Sequence, residues 1–162
     1  MTRAELIPLV KEIAEAHELE FRLVDAIVSV ESSYLPEALR YEPQCPFNYS
    51  VKFYAKHNKV SEATEQTLQH FSYGLMQMMG FKARELAFID PFRRLLDPRR
   101  NLTIGCKLLA NLVKKYPILD DVISSYNGGS PLRRIGGGYG NQAYIDKVKS
   151  IYSANLRVLP SP

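Results

Sequence analysis

Residues 20–36 read EFRLVDAIVSVESSYLP. Leu23, Val24, Ile27, Val28 and Val30 recur at helical spacing, which predicts an amphipathic helix from about Glu20 to Ser32. Pro36 blocks much extension beyond it. Glu31 falls on the apolar face, over Val24, Ile27 and Val28. A carboxyl group there loses water, and lost hydration raises its pKa. Such a group can hold a proton at neutral pH and give it up on demand. Position alone favours a blander reading, a carboxylate at a helix end lying in solvent.

The helical pattern extends both ways. Upstream, Thr2 and Glu5 form a capping-box pair ahead of Leu6, Leu9, Val10 and Ile13. Downstream, residues 36–61 read as irregular, with Pro43, Pro46 and the aromatics Tyr41, Phe47, Tyr49, Phe53 and Tyr54, and with room for a short hairpin. Short helices are expected over 62–70 and 81–88. Gly74 opens the apolar segment 75–79. Asp97-Pro98 is a helix start, with Leu102, Leu108, Leu109 and Leu112 as the apolar stripe. A helix from Asp120 to Tyr126 stops at Asn127-Gly128-Gly129. A Gly-rich loop over 130–140 precedes a last helix capped by Asn141. The tail 160–162 is expected to fray. The fold class is therefore mainly α, one compact domain over 1–162, with an irregular insertion at about 40–71.

The bulk numbers set limits. The chain has 162 residues, a net charge of +4 and an apolar content of 46%, enough for a sizeable core. No apolar run is long enough to span a bilayer, so an integral membrane protein is not expected. The first residues lack the apolar stretch of a secretory signal. That leaves cytoplasmic action, delivery by another agent, or a leader already removed. The mild positive charge suits anionic polymers without choosing among them. Cys45 and Cys106 form no CxxC pair and are expected as free thiols. His17, His57 and His70 lack metal-ligand spacing. Gly136-Gly137-Gly138 lacks the Lys-Ser/Thr of a phosphate loop, and there is no G-x-S-x-G elbow.

Two further pieces could carry chemistry, though each alone reads as core and turn. Gly74-Leu75-Met76-Gln77 pairs a flexible glycine with an amide suited to sugar amides and hydroxyls, and Met79 offers a soft apolar wall. Tyr126, before the turn at Asn127-Gly128-Gly129, can aim a hydroxyl into a cleft.

In order, these pieces resemble the soluble lytic transglycosylase (SLT) family of the lysozyme-like superfamily, goose-type in fold. Its Glu-Ser motif is matched by Glu31-Ser32 with Pro36. Its Gly-Leu-Met-Gln is matched by Gly74-Leu75-Met76-Gln77. Its Asp-Pro, Asn, Gly run is matched by Asp97-Pro98, Asn101 and Gly105. Its Ala-Tyr-Asn-x-Gly is matched by Ser125-Tyr126-Asn127-Gly128-Gly129, and its last Tyr helix by Tyr144 to Val148. Two departures stand out: Glu31 and Gln77 are further apart than is usual, and 139–143 lacks the Glu that many cellular members carry. Tyr41-Glu42-Pro43 is similar to what phage-borne members have.

The resemblance implies a peptidoglycan-cleaving enzyme with Glu31 as catalytic acid and base, and Tyr126 as the second catalytic residue, standing near Glu31, positioning it and helping its protonation. Ser72, Gln77, Met79, Asn127 and Tyr144 would bind substrate. Glu42 is the candidate second carboxylate; if it activates water, the product is that of a muramidase. No metal or cofactor is implied. The expected partner is the glycan strand, with no nucleic acid, and the expected state is a monomer. Phage lysis or a virion-associated role is the expected setting, with the periplasm as site of action. A non-catalytic glycan-binding or virion module is the reading from a different class.

Overall fold

The computed structural model describes residues 1–154; the tail at 160–162 lies outside the described residues. Helices dominate. They are α1 (Arg3–Ala16), α2 (Phe21–Ser32), α3 (Val51–Asn58), α4 (Glu62–Gln69), α5 (Gly80–Glu85), α6 (Pro98–Lys115), α7 (Leu119–Gly128) and α8 (Gln142–Ala154), with a 3-10 helix at Phe92–Leu96. Three short strands, β1 (Leu39–Tyr41), β2 (Phe71–Tyr73) and β3 (Met78–Met79), make one antiparallel sheet in that order.

The caps explain where the long helices begin. Thr2 and Glu5 close a complete capping box on α1. Asp97 accepts from the Arg100 amide and Pro98 opens α6. Gly129, in the left-handed conformation, ends α7. Asn141 stands before α8, but its side chain is spent on α7: it bonds Ser124 and Asn127.

The main core lies among α1, α2, α6, α7 and α8. Leu6, Val10, Val24, Ile27, Leu102, Leu109, Ile123, Ile145 and Val148 are buried there. Cys106 sits in the same core, and burial pushes its thiol pKa up to about 12. Cys45 is half-exposed on the loop after β1; both thiols are free. A second, smaller cluster joins Tyr73, Ala83, Phe88, Phe92 and Leu95.

The expected irregular insertion is more ordered than its composition suggests. It holds α3, a helix with no side-chain N-cap and with left-handed residues, Ser50 and Lys59, at its two ends. Tertiary contact stabilises it instead. Tyr54 is buried, and its hydroxyl donates to the Arg84 carbonyl at 2.9 Å. The strand β1 forms no local hairpin; it pairs across to β2, Leu39 opposite Tyr73. The hairpin of the fold is β2–β3, with Gly74 to Gln77 as its turn.

Under α3 and α4 lies a wholly buried ion pair. Arg84 donates to Glu65 through Nε at 2.8 Å and Nη2 at 3.1 Å, and through Nη1 to the carbonyls of Phe88 and Asp90. Its guanidinium lies 4.0 Å from the Phe92 ring centroid and 4.5 Å from that of Tyr54. Glu65 also accepts from Gln69, which in turn bonds both backbone groups of Tyr49. With its donors matched, this charge tolerates the loss of water.

Candidate active site

The end of α2 is fixed from three sides. Ser33 and Tyr34 both take the left-handed conformation, with φ of 51° and 65°. For residues with a Cβ this costs about 1–2 kcal/mol each. The offset comes from Tyr34, which is buried and donates its hydroxyl to Asp25 of the same helix, while Arg3 lies 4.9 Å from its ring centroid. Ser32 donates to the carbonyl of Leu75 at 2.8 Å, joining the helix end to the hairpin turn. This sharp, pinned ending sets the direction of Glu31.

Glu31 is partly buried, and desolvation raises its carboxyl pKa above the ordinary 4.5. Two influences pull the other way: the hydroxyl of Tyr144, donating to Oε1 at 2.5 Å, and the positive charge of Arg40. Tyr144 stands on α8, which packs along α2. Its own pKa is driven far upward by burial and by the neighbouring carboxylate, so it acts only as a donor.

The hairpin turn is clamped from α6 and α7. Asn101 accepts from the Met76 amide at 2.8 Å and donates to the carbonyls of Tyr73 and Leu95 at 2.7 and 2.9 Å. Tyr126 donates to the Met76 carbonyl at 2.8 Å. Gly105 lets the Met76 side chain lie against α6: a Cβ there would come within 2.3 Å of its sulfur. Gly74 needs to be glycine twice over, for its φ of 68° and because a Cβ would meet the Asn101 amide at 2.6 Å.

The residues singled out in the sequence are distributed as follows. Ser72 is buried, with its hydroxyl 3.0 Å from the Met79 sulfur. Gln77, itself left-handed at φ 45°, donates to the carbonyls of Ala38 and Gly74. Its side-chain oxygen makes no hydrogen bond among the described residues. Tyr126 sits close enough for Glu31 to raise its pKa, yet its hydroxyl is used on the turn. The hydroxyl on Glu31 belongs to Tyr144, which the sequence suggested only as a substrate-binding residue. Asn127 is exposed and accepts from Asn141 at 3.0 Å. Glu42 lies just past β1 and pairs with Arg40. Asn101 and Arg40 have roles here that motif order did not reveal. A buried asparagine in a helix facing a turn is the signal that could have found the first.

A cavity of about 360 Å³ lies away from this group, lined by Leu39, Leu68, Tyr73, Arg84 and Phe92 among others. It borders the smaller core and the Arg84–Glu65 pair, and neither Glu31 nor Tyr144 lines it. Among the described residues, no cluster of His, Cys, Asp and Glu could hold a metal ion, and no helix is long and apolar enough to cross a membrane.

A mainly helical domain with a desolvated glutamate in the last turn of α2, whose end is tied through Ser32 to a clamped Gly-Leu-Met-Gln turn, is what a lysozyme-like protein is expected to show. The model of the transglycosylase SLT domain matches residues 8–145, and the chain belongs to that family. Membership brings lytic transglycosylase-type activity on peptidoglycan. Neither the curated proteins nor the solved structures gave a match.

Proposed function

We propose that the chain cleaves the β-1,4 bond between N-acetylmuramic acid and N-acetylglucosamine, with Glu31 as the single acid and base. The protonated carboxyl gives its proton to the bridging oxygen as the C1–O bond breaks. Positive charge develops on the muramyl ring. The carboxylate so formed takes the proton from that sugar's C6 hydroxyl, whose oxygen bonds to C1. The product is a 1,6-anhydro end, and no water is consumed. Tyr144 and Tyr126 act as positioning residues, the first on Glu31 and the second on the turn. Ser72 and Gln77 would hold the sugar's N-acetyl or hydroxyl groups, Met79 would pack against the sugar or Glu31, and Asn127 would add a further substrate contact.

The observation that carries this reading is the environment of Glu31: desolvation raises its carboxyl pKa, and the Tyr144 hydroxyl donates to it at 2.5 Å. The test is mass spectrometry of digested sacculi. Anhydro ends, lighter by one water than reducing ends, support it. Reducing ends throughout would move the chain to the hydrolytic muramidase reading, with Glu42 as the base for water. Binding to purified walls without any release of fragments would support the non-catalytic module instead. The setting we propose, phage lysis or wall penetration, rests on the resemblance of Tyr41-Glu42-Pro43 to phage-borne members.

A further inference from the structure

Arg40 has entered so far only as a charge that Glu31 feels, and the sheet gives its side chain a second setting. In β1 it stands opposite Ser72, and Ser72 stands opposite Met79 in β3. Directly opposed residues share a face, so Arg40, Ser72 and Met79 form one row. Glu42, two residues on, belongs to the same side. The other face carries Tyr41 against Phe71, with centroids 4.9 Å apart, and Tyr73 stacked on Phe92. Arg40 thus belongs to the face that holds the proposed sugar contacts, and Glu31 feels its charge.

The Arg40 side chain is two-thirds exposed, at 67%. The pairing with Glu42 runs through Nε. The terminal nitrogens make no bond among the described residues, so one planar edge of the fork is open. That edge matches a carboxylate in a bidentate pair.

The glycan supplies such a group on only one of its two sugars. Muramic acid carries a lactyl ether ending in a carboxyl, which is free on peptide-free strands. On intact strands it is amide-linked to a stem peptide that has carboxylates of its own. We propose that Arg40 is a specificity-determining residue that takes a carboxylate of the muramyl half, so that anionic strands are cleaved in preference to neutral ones. This rests on the reading of Glu31 given above.

The experiment compares kcat/KM of the full chain and its Arg40→Ala and Arg40→Lys variants on three substrates. These are intact sacculi, peptide-free glycan strands, and peptide-free strands with the lactyl carboxyls converted to methylamides. In wild type the charged strands are cleaved faster than the methylamide strands. Arg40→Ala reduces that preference about five- to tenfold, chiefly through KM, as expected for losing one charge-assisted pair at a partly exposed site. Arg40→Lys restores part of it. A loss on peptide-free strands alone identifies the lactyl carboxylate; a loss on sacculi alone identifies the stem peptide. An Arg40→Ala variant that keeps wild-type kcat/KM on both sacculi and charged strands, or that loses as much on the methylamide strands, overturns the assignment while leaving Glu31 in place. Wild-type protein that cleaves none of the three overturns the reading of Glu31, and this one with it.

Discussion

The hydroxyl of Tyr144 donates to Oε1 of Glu31 at 2.5 Å, across 113 residues of chain. The contact joins α8 to the end of α2, and it opposes desolvation in setting how readily Glu31 ionises. Removing that hydroxyl leaves desolvation with less opposition. In Tyr144→Phe the pKa of Glu31 rises, so the pH above which the acid is spent moves upward. Arg40 still acts in the opposite sense, and Tyr126 remains nearby. The alkaline limb of the kcat/KM profile should shift to higher pH, with turnover at the optimum lowered about tenfold through lost positioning. An unmoved limb would separate Tyr144 from the titration of Glu31.

Glu31→Gln keeps an acceptor for Tyr144 but cannot donate or take the proton. Peptidoglycan turnover should fall by about 10²- to 10⁴-fold, with an unchanged circular-dichroism spectrum. The variant also carries a stability signature. The folded-state pKa of Glu31 lies above its unfolded value, so the stability this group contributes is full below the unfolded value of 4.5 and is lost as pH rises through the folded pKa. The melting temperature of Glu31→Gln relative to wild type should therefore increase as pH rises from the acid side toward neutrality. A constant difference would mean that the carboxyl is not desolvated.

Asn101 contributes through geometry. Asn101→Ala leaves the Met76 amide and two carbonyls buried without partners, at about 1–3 kcal/mol each. A loss of about 3 kcal/mol or more in urea unfolding is expected, together with weakened turnover as the turn bearing Gln77 loosens. Asn101→Asp should be nearly as damaging, because an oxygen would replace the nitrogen that now faces the Tyr73 and Leu95 carbonyls.

Breaking the Arg84–Glu65 pair from one side strands a charge. Arg84→Ala should cost about 3–5 kcal/mol, a large part of the 5–15 kcal/mol typical of a domain. Arg84→Met combined with Glu65→Leu should recover most of it. If the double variant is no better than the single, the pair's value lies in its carbonyl and ring contacts rather than in charge balance.

What the sequence disclosed follows physical scale. The helices with strong caps, α1 and α6, and the glycine stop of α7 are written in a few adjacent residues, so local reasoning reached them. The apolar rhythm of α2 set Glu31 against the core. The helix α3 escaped because neither end has a capping side chain and its anchor, Tyr54, binds a carbonyl that exists only after α5 is in place. Arg84 reads as a surface residue until Glu65, Phe92 and Tyr54 surround it. The same limit applied to the site. Motif order named Tyr126 and Tyr144 together, but only the crossing of α8 over α2 determines which hydroxyl reaches the carboxyl.

The unequal placement of the two thiols offers a practical handle. Cys106 is sealed within the helical core and holds its proton tightly, whereas Cys45 lies at the surface, its amide donating to the Glu42 carbonyl at 3.0 Å. A maleimide dye applied to folded protein at neutral pH should therefore mark one position without any engineered cysteine. The reporter would sit next to the β1 edge, where its emission could follow glycan arriving and departing in real time.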